Sequence, residues 1–131
     1  MKLIVSACLL GRRCRYDGRS KDSEAVRLAV QGQEVLSVCP EELGGLGTPR
    51  PAAQLVGGDG HDVLDGRARV LAVQSGEDLT EAFVQGAKQA AQDADSAILK
   101  ARSPSCGVSR DGVFAALLRR RGIPLRTDEE L

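Results

Sequence analysis

Three short apolar runs, each leading to a cysteine, constrain the fold of this chain more than any other feature. Leu3-Ile4-Val5-Ser6-Ala7-Cys8 and Glu34-Val35-Leu36-Ser37-Val38-Cys39 end on their cysteines, and Ala97-Ile98-Leu99-Lys100 runs out into Ser103-Pro104-Ser105-Cys106-Gly107. The runs are continuous rather than alternating, which suits strands covered on both faces, as in a parallel sheet. Helical patterns separate them. Ser23 to Val30 has cap candidates in Asp22 and Ser23 and a stop at Gly32. Glu81 to Ala91 follows Asp78 and Thr80, either of which can cap it, and Val113 to Arg121 is amphipathic and stops at Gly122. The expected fold is α/β, a single domain over residues 1–131 with an open, mainly parallel sheet flanked by helices.

The remaining segments carry weaker signals. Residues 41–60 are rich in Gly and Pro and read as a long loop with special backbone demands. His61 to Val73 reads as a peripheral hairpin turning at Asp65-Gly66. Ile123-Pro124-Leu125 reads as a short edge strand. Only Tyr16, Phe83 and Phe114 are aromatic in 131 residues, so the core has to be aliphatic.

Charge excludes more than it suggests. Eighteen Lys and Arg balance eighteen Asp and Glu, which gives no electrostatic case for nucleic acid or membrane, and three aromatics are too few for a base-stacking platform. Neither a nucleic acid nor a membrane is an expected partner. The distribution is uneven: residues 1–21 and 100–121 hold twelve basic and two acidic residues, and three of the four cysteines lie there. Val5-Ser6-Ala7-Cys8 looks superficially like a lipoprotein cleavage site, but too few apolar residues precede the cysteine for a secretory signal. The expected location is the cytoplasm, where disulfides are rare and four cysteines point to metal or catalysis.

Ligands of parallel α/β sheets bind beyond the carboxyl ends of the strands. Cys8, Cys39 and Cys106 occupy those ends, so topology is expected to bring them to one rim. Structural zinc would show Cys-x-x-Cys pairs, and there are none. A phosphate-cradling cysteine loop needs an Arg six positions on, which no cysteine has. Cysteine–histidine catalysis has only His61 to use, and its Gly-His-Asp setting reads as an exposed turn. An iron–sulfur cluster fits better, because three well-separated thiolates leave one iron of a 4Fe-4S cube without a protein ligand.

The strings SACLLGRRCRYDG (Ser6 to Gly18), CPEELGGLGTPRP (Cys39 to Pro51) and LKARSPSCG (Leu99 to Gly107) closely resemble, in order, the signatures of a bacterial domain family whose characterised members are thiouracil desulfurases. The resemblance implies a 4Fe-4S cluster on Cys8, Cys39 and Cys106, with Cys14 a nearby loop thiol outside it. It implies removal of sulfur from a thiolated base as hydrosulfide, with Glu41 and Ser103 in the chemistry. Hydrolysis at a Lewis-acidic iron, with no electron transfer, is the expected mechanism. Asp17, Gly44 and Gly45 are weaker substrate-binding candidates. Two positions depart from the family pattern: Gln54 stands where Glu is usual, and the connection from Gly107 to Gly112 is short. Two other classes stay open: a non-catalytic carrier using Cys14 as fourth ligand, and a thiol-redox enzyme using Cys8 and Cys14.

Overall fold

A computed structural model describes residues 2–107 and 111–131. Val108, Ser109 and Arg110, the centre of the short connection, lie outside the described residues. Four parallel strands, β1 (Lys2–Ser6), β2 (Glu34–Val38), β5 (Ser96–Leu99) and β6 (Leu125–Thr127), form a sheet in the order β2-β1-β5-β6. From β1 the chain crosses to β2 on one side, and later returns to β5 on the other. Connections leaving the carboxyl ends of these strands therefore diverge and open a crevice there. The central strands β1 and β5 are buried almost throughout, whereas the edge strand β2 is half exposed.

Each face of the sheet is covered by helices. On one face α4 (Thr80–Ala90) and α5 (Val113–Arg120) bury Phe83 and Phe114 among Ile4, Leu99 and Leu118. On the other, Leu3, Val5 and Ile98 pack with Leu9 and with Val26 of α1 (Glu24–Ala29). The core is aliphatic around two phenylalanines, as composition requires, while Tyr16 stays 44% exposed. No helix among the described residues is long and apolar enough to cross a membrane.

Local chemistry sets the boundaries and moves several of them. Ser23 caps α1, accepting from Val26 N at 3.3 Å. Neither candidate occupies the cap of α4, which falls on Leu79 without a side-chain cap: Asp78 just before it accepts from Thr80 N at 2.9 Å, and the Thr80 hydroxyl accepts from Val70 N at 2.8 Å. The first run stops one step early: β1 ends at Ser6, and Ala7–Leu10 forms a 3-10 turn containing Cys8. Pro40 ends β2, because proline has no ladder N–H, and begins the one-turn helix α2 (Pro40–Leu43).

The expected long loop and hairpin are rearranged. The segment 41–60 contains most of α2 and a strand, β3 (Ala53–Val56), which pairs antiparallel with β4 (Arg69–Ala72). The hairpin thus spans 53–72. Its connection carries a helix, α3 (Gly60–Leu64), where a strand was expected. The reason is a capping box: the Asp59 carboxylate accepts from Asp62 N at 3.2 Å, and Asp62 accepts from Asp59 N at 3.1 Å. Asp65-Gly66 then ends this helix, with Gly66 at φ +80°.

Candidate active site

The carboxyl ends of β1, β2 and β5 open into a cavity of about 400 Å³ lined by all four cysteines. Cys8 reaches it from the turn after β1, where Lys21 N and Gly11 N donate to its carbonyl. Cys39 stands at the start of α2, directly after β2. Cys106 sits in the turn after β5, whose shape comes from Ser103: its hydroxyl oxygen accepts from both Ser105 N and Cys106 N at 3.2 Å. That turn docks on the start of α5, where Phe114 N donates to Ser105 O at 2.8 Å. Gly112 is required at this junction because a Cβ there would run into the backbone at Ser105. The three sequence-predicted ligands are thus brought together from three separate segments.

Cys14 arrives as well. It is a loop thiol beside the site, as expected, but is only 2% exposed, and its carbonyl accepts from Arg50 Nη2 at 2.8 Å. All four thiols are free. Burial pushes the Cys106 thiol up to about 12, against the downward pull of hydrogen bonds from Ser6 and Ser105. For Cys14 the hydrogen bond with Cys39 pulls down, but a second one to Cys8 together with burial outweighs it, leaving the thiol at about 11. Hydrogen bonding to Cys14, then burial, pushes Cys39 upward too. These are protonated, soft donors crowded in one place, a set that releases protons when it takes thiophilic metal.

Beside the thiols runs a polar chain. Glu41 Oε1 accepts from Arg50 Nε at 3.1 Å, and the two side chains are only 14% and 5% exposed. Arg50 is held in turn by Thr48 Oγ1 at 2.9 Å and Gly47 O at 3.3 Å. The other carboxylate oxygen, Oε2, lies 3.1 Å from Ser105 Oγ, which lies 3.1 Å from Ser103 Oγ and 3.7 Å from Cys106 Sγ. Two backbone N–H groups already occupy the Ser103 oxygen, so its proton points to Ser105, whose own hydroxyl donates to Glu41 Oε2 at 3.1 Å and more weakly toward Cys106 Sγ at 3.7 Å. The order Ser103, Ser105, Glu41, Arg50 is thereby fixed. Sequence reading found the two members Glu41 and Ser103 and missed the two that join and anchor them. Ser105 is 64 residues from Glu41 and looks like any Ser-Pro-Ser turn residue. Its 2% exposure is what marks it.

The weaker candidates lie elsewhere. Asp17 accepts from Arg19 N at 3.0 Å and so folds its own loop. Gly44 packs on α4, where a Cβ would collide with the backbone of Ala82, and Gly45 forms a turn at φ +89° with open space around it. Gln54 is exposed on β3, opposite Leu71. His61 is not in a free turn: its Nε2 lies 2.8 Å from Asp111 Oδ2, away from the cavity lining.

Comparisons with known proteins converge on one group. The 2-thiouracil desulfurase family profile matches residues 3–130. YbbK of Bacillus subtilis strain 168 is 39% identical over 147 residues, covering 98% of this chain and 97% of that protein. Among solved structures, the 4Fe-4S-dependent thiouracil desulfidase TudS superposes with a TM-score of 0.81 at 40% identity, over 99% of this chain and 92% of that one.

Proposed function

Because the chain belongs to the 2-thiouracil desulfurase family, we propose that it removes sulfur from a thiouracil-like thiolated base and releases it as hydrosulfide, using a 4Fe-4S cluster held by Cys8, Cys39 and Cys106. The observation that carries this reading is the shared cavity: thiols from the ends of β1, β2 and β5 face a carboxylate and two hydroxyls already wired together. The donor set suits the group. Cys8, Cys39 and Cys106, as thiolates from three separate segments, would hold the cluster, and it would supply a Lewis acid able to polarise a thiocarbonyl.

The protein's own residues supply the rest. Glu41, oriented through Arg50, takes a proton from water as the oxygen adds to the thiocarbonyl carbon. Ser105 ties that carboxylate to Ser103 and holds it in place, and Glu41 returns its proton to the departing sulfur. One C=S bond and one water become one C=O bond and hydrogen sulfide, with no electrons gained or lost. Arg50 keeps Glu41 Oε1 occupied, so Oε2 is the oxygen facing Ser105 and the reaction.

The test is the Glu41→Gln protein, reconstituted anaerobically. Hydrosulfide release from 2-thiouracil is expected to fall by about 10²–10⁴-fold, the usual contribution of a general acid–base residue, while iron content and cluster absorbance stay at the wild-type level. Full activity in this variant overturns the assignment of the base.

A further inference from the structure

Cys14 is left without a task by this mechanism, yet it is buried against the site. Its Sγ, the Cys39 Sγ and a Glu42 carboxylate oxygen all lie within 4.8 Å of one another. That is closer packing than the corners of an iron–sulfur cube need and close to what one ion needs: metal–sulfur bonds of about 2.3 Å at tetrahedral angles put two sulfurs roughly 3.8 Å apart. We propose that Cys14, Cys39 and Glu42 form a mononuclear site for a thiophilic divalent cation, such as zinc or ferrous iron, that fills when the cluster is absent.

Several observations support the placement. Glu42 Oε1 is sealed from solvent and takes no hydrogen bond, its near partner being the Arg12 guanidinium at 2.8 Å. Arg12 is 63% exposed, so it swings into water at little cost when a cation arrives. Glu42 Oε2 is pinned by Thr48 Oγ1 at 2.6 Å, which fixes the carboxylate. The Cys14 loop is held by Arg50 through its carbonyl, so its thiol is presented without a metal. Binding releases two thiol protons to solvent and leaves two thiolates and one carboxylate around the ion, with water in the fourth position. Cys39 belongs to both sets, so the single ion and the cluster exclude each other. Binding of a single ion stands on the geometry alone, whereas its mutual exclusion with a cluster rests on the proposed cluster ligands.

Cobalt is the probe. The reduced apo-protein titrated anaerobically with Co²⁺ is expected to bind one equivalent, with thiolate-to-cobalt charge-transfer absorbance and the visible bands of a four-coordinate ion. Cys14→Ala should abolish those bands, Glu42→Gln should keep the thiolate bands while weakening binding by about tenfold or more, and Cys106→Ala should leave them unchanged. Protein filled with zinc should take up no cluster absorbance on reconstitution until the zinc is chelated. Cobalt bands that survive Cys14→Ala, or that vanish equally with Cys106→Ala, overturn the site. So does a wild-type apo-protein that shows none, and the Glu42→Gln variant keeps the test valid if a cysteine variant fails to fold.

Discussion

Single residues decide the chemistry here, and Ser105 is the clearest case. A buried hydroxyl is retained where its hydrogen bonds are satisfied, and Ser105 has a carboxylate on one side and a second serine on the other. Alanine at this position breaks the link and removes only a long 3.7 Å contact to Cys106 Sγ, leaving every thiol in place. Ser105→Ala is expected to lower kcat by roughly 10²-fold, the low end of general acid–base contributions, with KM and iron per chain unchanged, and threonine should restore part of the loss. Steady-state rates of hydrosulfide release, measured beside iron content, check both. Residue by residue, what short motifs made legible was which side chains meet in the cavity: Cys8, Cys39, Cys106, Glu41 and Ser103. Arg50 and Ser105 were hidden because their meaning lies in a partner. Arg50 contacts residues 9 and 36 positions away, and no spacing rule announces that.

At the level of elements, sequence reading succeeded where a segment satisfies itself. The buried strands and the helices α1, α4 and α5 follow from continuous apolar runs and amphipathic patterns, and their ends fall within a residue or two of expectation. It failed where tertiary pairing decides. β3 is four residues long, with exposed and half-buried positions alternating, and it becomes a strand only because β4 lies beside it. The Asp59–Asp62 capping box outweighs the turn signal of Asp65-Gly66 and makes α3 a helix. The contact between α2 and α4 is equally tertiary: Gly86 lies so close to α2 that a Cβ would strike the Pro40 carbonyl. Gly86→Ala is therefore expected to destabilise the protein by about 1–3 kcal/mol, the ordinary cost of forcing extra volume into a packed interior. Chemical denaturation reads that loss. The variant should also lose activity beyond the unfolded fraction, because displacing α2 moves Glu41.

Across the whole molecule the thiols couple stability to pH. The folded apo-protein keeps the Cys14 and Cys106 protons up to about pH 11 and 12, whereas an ordinary thiol gives its proton up near 9.0. Above that point the unfolded chain binds fewer protons than the folded one, so stability falls as pH rises from about 9 toward 11 to 12. Urea midpoints of the apo-protein should decline across this window, and Cys106→Ala should flatten the decline. An unchanged midpoint would mean that these thiols do not differ between the folded and unfolded states. The sheet order carries a further consequence. Its central pair joins Leu3 to Ser96, so β1 waits for a partner made more than ninety residues later. On the ribosome Cys8 and Cys39 emerge well before Cys106, which follows more than sixty residues after Cys39. Iron and sulfide delivered to a nascent chain that has not yet reached Cys106 would therefore meet only part of the nest that the folded cavity offers.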